Sequence, residues 1–138
     1  MVDVERLNRL LARVERDTAD IRADARAADL TTDAAALRAV KYGFVVAIEG
    51  CVRAAQHVVA SEGLGMPQTN ADAVRLLGSA GVVPVGVAEP VARSVGFRNL
   101  LVHEYAEVDD DRVRANVALL DDLDAFTAAV AAWAARQT

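Results

Sequence analysis

Val4, Leu7, Leu11, Val14, Thr18, Ile21, Ala25 and Ala28 recur at alternating intervals of three and four residues. Only an α-helix, with about 3.6 residues per turn, gathers such a series onto one stripe. The chain therefore opens with a long amphipathic helix. Its Arg and Asp residues fall outside the stripe, and its apolar side needs other helical surfaces to cover it. Arg6, Arg9, Arg13 and Arg16 are interleaved with Glu5, Glu15 and Asp17, the pattern of a solvated face rather than a nucleic-acid stripe.

The rest of the chain can supply those surfaces. Apolar residues make up 54% of the 138 residues and aromatics 4%, so the core is built from aliphatic and small side chains. Abundant Ala with little Gly or Pro favours helix over strand. "LTTDAAAL" offers Thr and Asp as caps for a second helix from about Asp33 to Ser61. There Leu37, Phe44, Val45, Ile48, Cys51, Val52, Ala55 and Val59 make a face wide enough for a central helix. "EGLGMPQTN" ends it. Asn70 can then cap a short helix through "ADAVRLLGSAG", stopped by Gly78 and Gly81. "GVVPVGVAEP" reads as a loop into a fourth helix near Val87, with Pro90 in its first turn. The acidic "EVDDD" precedes a last helix from about Asp111, with Val113, Val117, Leu120, Leu123, Phe126, Val130 and Trp133 on its apolar side. No repeat or linker divides the chain. The expectation is all-α: one domain, residues 1–138, an up-and-down bundle of four to five helices.

Several functions are disfavoured at this stage. The net charge of −5 argues against broad, nonspecific binding to nucleic acid, though not against a small local site for RNA or nucleotide. Glu49, Arg53 and His57 in the most apolar stretch speak against a membrane span, and the charged first twenty residues lack a signal-peptide core. A single cysteine, Cys51, fits a reducing compartment and reads as a buried small hydrophobe. The expected location is the cytoplasm. His57 and His103 are the only histidines, so no multi-His metal site is expected.

One stretch departs from the aliphatic background: "GFRNLLVHEYAEVDDDR", residues 96–112, places Arg98, Asn99, His103 and Tyr105 close together. On an ideal helix Asn99 and His103 share a neighbouring face, and Arg98 and Tyr105 nearly eclipse. Arg98 and His103 differ by about 140°. They converge only if the helix end distorts, if the long Arg reaches round, or if the two meet across a symmetric dimer. The residue types suit phosphate chemistry. A guanidinium fork matches a phosphodiester and the charge of its transition state. An imidazole can take a proton from a ribose 2′-OH or return one to the leaving oxygen. A two-fold dimer would bring two copies of His103, an acid and a base. The bland alternative pairs Arg98 with an acidic neighbour and leaves His103 a satisfied helix-end histidine. Tyr42, in "AVKYGFVV", reads as a core or interface aromatic.

"RNLLVHEY" resembles the R-x4-6-H motif of the HEPN superfamily, in the R-x4-H-x-Y form typical of HepT-type toxins. The similarity runs from end to end: a long first helix, a second leading to "GLGMP", then "AVRLLGSAG", "GFRNLLVHEY", "VDDDRV" and a final apolar helix. The resemblance implies a HEPN-like α-helical toxin that dimerises with motif helices facing each other and cleaves RNA, tRNA being one candidate substrate, without metal or other cofactor. Arg98 and His103 would be catalytic and Asn99 supporting. The partner would be an MNT-type nucleotidyltransferase antitoxin that attaches AMP to Tyr105. A noncatalytic helical module that binds a nucleotide or docks the nucleotidyltransferase is the main rival, and a purely structural dimerisation domain a third reading. Net acidity speaks for the binding module; the intact motif speaks for the enzyme.

Overall fold

In the computed structural model, which describes residues 1–103 and 110–137, every regular element among those residues is helical. Helix α1 spans Val4–Ala27, started by Asp3, whose carboxylate accepts the Arg6 N–H at 3.0 Å. Leu7, Leu11, Val14, Thr18 and Ile21 are buried as the spacing predicts. The stripe stops short of Ala28, which is the extended C-cap. Asp17 departs from expectation: it lies beside Thr18 on the edge of the stripe and is buried, its Oδ1 facing Arg13 Nε at 3.5 Å.

Asp33 caps α2, Ala34–Glu62, through the Ala36 N–H at 3.0 Å. The helix ends at Gly63, whose φ of 62° is the left-handed conformation that glycine adopts without strain. It is the central helix, packed against α1 and against three helices further along the chain, α3 (Asn70–Ser79), α4 (Val85–His103) and α6 (Leu119–Ala135). Phe44, Ala47, Ile48 and Cys51 are wholly buried along it.

The α1–α2 contact depends on two glycines. A Cβ on Gly43 would lie 2.5 Å from Ile21 Cγ1, and one on Gly50 would lie 2.6 Å from Val14 Cγ2. Both pairs are seven residues apart and run in opposite directions, so the helices are antiparallel and touch backbone to side chain once every two turns.

Three boundaries differ from the sequence expectation. Thr69, not Asn70, caps α3, its hydroxyl accepting the Asp72 N–H at 3.1 Å. Asn70 instead accepts a bond from Gln56 Nε2 of α2 at 3.1 Å. Gly78 does not stop α3; it is buried within it, and a Cβ there would meet Ala88 Cβ at 3.2 Å, so it serves the α3–α4 approach. The stop is Gly81, with φ 75°, after which the Val82 and Val83 N–H groups return to the Leu77 carbonyl. Helix α4 begins two residues before Val87, on the Pro84 carbonyl. Pro90 therefore lies past the first turn, where it forfeits a bond to the carbonyl of Gly86, an exposed residue within reach of water.

The final helix is divided into α5 (Asp110–Ala115), a 3-10 turn (Asn116–Ala118) and α6. Val113, Leu120, Leu123, Phe126 and Val130 are buried as expected, whereas Val117 and Trp133 are half-buried. Among the described residues the architecture is an all-α bundle of the expected kind. Arg22 ties α1 to α6 through Asp121 at 2.9 Å and Asp124 at 2.7 Å, and Arg75 ties α3 to α4 through both oxygens of Glu89. No described helix is long and apolar enough to cross a membrane.

Gly50→Ala is expected to destabilise the chain by about 1 kcal/mol or more, although Ala in a helix ordinarily gains roughly that much over Gly, because the added methyl overpacks Val14. Urea unfolding checks this, and adding Val14→Ala should cost less than its effect in the wild-type background.

Candidate active site

The motif is displayed by the last turns of α4. Phe97 and Leu101, four residues apart, are buried and anchor this end of the helix. The Phe97 ring meets Phe44 of α2 edge-on, with centroids 5.5 Å apart at 75°. With those two side chains turned inward, Asn99, Val102 and His103 project to solvent. Arg98 lies at the boundary and leans onto α2.

Its guanidinium is held on two sides. Nη2 donates to Glu49 Oε1 at 2.8 Å and Nη1 donates to Asn99 Oδ1 at 3.1 Å. The Arg98 side chain is 19% exposed and that of Glu49 38%; Arg98 Nε is buried without a partner. Sequence reasoning missed Glu49, noting it only as a polar residue in an apolar stretch. The signal was there, since a carboxylate in "VVAIEGCV" on a central helix has to find a partner. In this respect the bland expectation holds: Arg98 does pair with an acidic neighbour. Asn99, expected in support, does touch Arg98.

Within one chain Arg98 and His103 are not brought together. Helix α4 stays regular through His103, so its end does not distort between them, and Arg98 reaches toward Glu49 instead. His103 is exposed, and among the described residues its imidazole has no hydrogen bond or ion pair. Tyr105 and the acids Glu104, Glu107 and Asp109 lie outside the described residues. On the far side of that stretch Asp110 pairs with the buried Lys41 of α2 at 2.9 Å, and Arg112 places its guanidinium carbon 5.9 Å from the Phe97 ring centroid. The bond from Lys41, and with it the ammonium charge, holds the Asp110 carboxyl below the ordinary carboxylate range.

The other candidates resolve simply. Cys51 is wholly buried, and desolvation pushes its thiol up to about 12. His57 is half-buried on α2. Among the described residues no group of three or more His, Cys, Asp or Glu could hold a metal ion. Tyr42 is not a core aromatic: its side chain is 69% exposed. Its neighbours Lys41 and Phe44 take the inward positions, and Tyr42 falls on the outer face of α2, two turns before Glu49.

The family model described as ribonuclease HepT-like matches residues 7–130, from the first buried leucine of α1 to the last buried valine of α6. The chain belongs to the ribonuclease HepT-like family. Within it, the mRNA nuclease HepT of Shewanella oneidensis is 32% identical over 65 residues, 47% of this chain and 49% of that protein, so the match spans about half of the relative's length. A solved structure of a tri-AMPylated Shewanella oneidensis HEPN toxin in complex with MNT antitoxin superposes with a TM-score of 0.85 at 25% identity, covering 96% of this chain and 99% of that one. The fold, though not more, is also shared with the cytosolic protein YutE of Bacillus subtilis: TM-score 0.85, 17% identity, 99% of this HepT-like chain and 93% of that one.

Two expectations follow. Cys51 should stay unlabelled by a thiol-specific disulfide reagent near pH 8 in the folded HepT-like chain and react fully in denaturant; rapid native labelling would contradict its burial. The Lys41–Asp110 pair should contribute stability above the ordinary carboxylate pKa and lose it as pH falls through the lowered value. Asp110→Asn should accordingly narrow the Tm difference between pH 7 and acid, which thermal unfolding across pH measures.

Proposed function

We propose that this chain is the toxin of a HEPN/MNT toxin–antitoxin pair, a metal-independent endoribonuclease acting in the cytoplasm as a homodimer of one domain, residues 1–138. The observation that supports it is the layout of the motif in a chain of this family. Arg98 is fixed at the edge of the bundle, while His103 stands uncommitted at the end of the same helix, on a different side of it.

In this reading a second copy supplies what one chain separates. Facing α4 helices set the Arg98 of one protomer and the His103 of its partner toward a shared phosphodiester. One His103 imidazole takes the proton of the ribose 2′-OH as that oxygen attacks phosphorus. The bond to the 5′-oxygen breaks, and the other His103, as imidazolium, protonates the departing oxygen. The products are a 2′,3′-cyclic phosphate and a free 5′-OH. Arg98 stabilises the charge on the non-bridging oxygens, and Asn99 supports Arg98. The cognate MNT-type nucleotidyltransferase silences the site by adding AMP to Tyr105, two residues beyond His103. The bulk and negative charge then stand where an RNA phosphate has to sit.

A noncatalytic module that docks the nucleotidyltransferase is the second reading. It is favoured by one observation, the neutralisation of Arg98 by Glu49 in the unliganded chain. The two readings part in one assay. Incubated in EDTA with total RNA or tRNA, the wild-type chain should cleave. His103→Ala and Arg98→Ala should each lose about 10²-fold or more while keeping the helical circular dichroism of the parent. Equal cleavage by the folded double variant, or none by wild type whose intact mass carries no AMP, would remove the enzyme reading. Co-expression with the cognate nucleotidyltransferase should add AMP mass to wild type and not to Tyr105→Phe.

A further inference from the structure

We infer that Glu49 is the positioning residue of Arg98: its carboxylate fixes the guanidinium so that one N–H on each Nη nitrogen remains presented to a substrate phosphate. The inference rests on the RNA-cleaving reading above and adds to it a residue outside the motif, from another helix.

The donor inventory leads there. A guanidinium carries five N–H bonds in a rigid plane. The Nε–H of Arg98 is buried without an acceptor and faces no solvent. One Nη2–H is committed to Glu49 and one Nη1–H to Asn99. What remains is one uncommitted N–H on each Nη, available to donate to phosphate oxygen. Asn99 alone cannot fix the plane, because it is the next residue on the same helix, is exposed, and turns with its own rotamer. Glu49 comes from α2, forty-nine residues away in sequence, and is seated on the central helix beside Gly50, one of the two glycines against which α1 packs closely.

Among the described residues, Glu49 is the one acid paired with Arg98. On its other side Glu49 borders a cleft of about 180 Å³ between α1 and α2 that also contains Arg13, Asp17 and Arg53. Asp17 already faces Arg13, and Arg53 adds a further positive charge. Without the Glu49 carboxylate a mostly buried cation loses its ion pair, and its lowest-energy placement is no longer the one seen here.

Two measurements on the full-length chain test this. The first needs no activity. In ¹⁵N-labelled protein the Arg98 Nε–H resonance, assigned by its loss in Arg98→Lys, should exchange slowly with solvent. Glu49→Ala should speed that exchange at least about tenfold, as expected when a local contact that limits opening is removed. Glu49→Gln, which keeps an acceptor of the same shape, should stay closer to wild type. Unchanged exchange in a folded Glu49→Ala chain would overturn the inference.

The second is kinetic. Glu49→Ala should lower kcat by about 10–100-fold with KM within about threefold, the size of effect expected from misplacing a reacting group by about 1 Å. Glu49→Gln should recover much of the loss. Arg98→Ala/Glu49→Ala should be no slower than Arg98→Ala alone. An equal or faster rate in Glu49→Ala, or losses that multiply in the double variant, would show that Glu49 does not act through Arg98. Should wild type that carries no AMP cleave no RNA at all, the proposed function fails, while the exchange measurement still decides whether Glu49 holds Arg98.

Discussion

Two absent methyl groups set the spacing on which this bundle rests. At Gly43 and Gly50 the backbone of α2 takes Ile21 and Val14 of α1 directly against it, and any side chain there would push the helices apart. Close seating on that side is what allows α2 to be enclosed on others by α3, α4 and α6. Van der Waals contact falls off within an ångström, so a wider gap would cost dispersion along both helices and not at two points only. Gly78 plays the same part between α3 and α4 against Ala88.

An enclosed central helix makes its few polar side chains consequential. Lys41 and Glu49, eight residues apart on α2, reach out to opposite ends of the motif region, Lys41 to Asp110 and Glu49 to Arg98. Between them the Phe44–Phe97 ring contact fixes how α4 lies on α2. The motif end of α4 and the start of α5 are therefore registered against the centre of the protein by one apolar and two charged contacts. None of these contacts involves His103, which stands exposed at the end of a helix that they hold in place.

How much of this could be read from the sequence depended on whether the cause was local. The periods of α1 and α2 were plain because burial on one side of a helix writes itself at intervals of three and four. Asp33 as a cap and Gly63 and Gly81 as stops follow from backbone geometry alone. Gly78 misled because a glycine chosen for close packing has the same letter as one chosen for a turn. Thr69 and Asn70 are both good caps, and the choice was made at a distance, by Gln56. The division of the last helix at Asn116–Ala118 has no sequence mark that we can identify. In the site, Arg98, Asn99 and His103 stood out as a motif, and Tyr105 with them. Glu49 did not, since its meaning comes from a helix forty-nine residues away; of the two readings of Tyr42, core or interface, its exposure removes the core one.

The anchoring of Asp110 on Lys41 has a consequence for residues 104–109 that is independent of their conformation. The described residues on either side of them are both held to the bundle, His103 as the last residue of α4 and Asp110 by its pair with Lys41. Tyr105 is two residues from His103, at most about 7 Å along the chain. A group attached covalently to Tyr105 is thus confined near the imidazole at a very high effective concentration. If the proposed AMP mark is placed there, it needs no binding affinity of its own to stay beside His103, dilution cannot remove it, and reversing it requires breaking a bond.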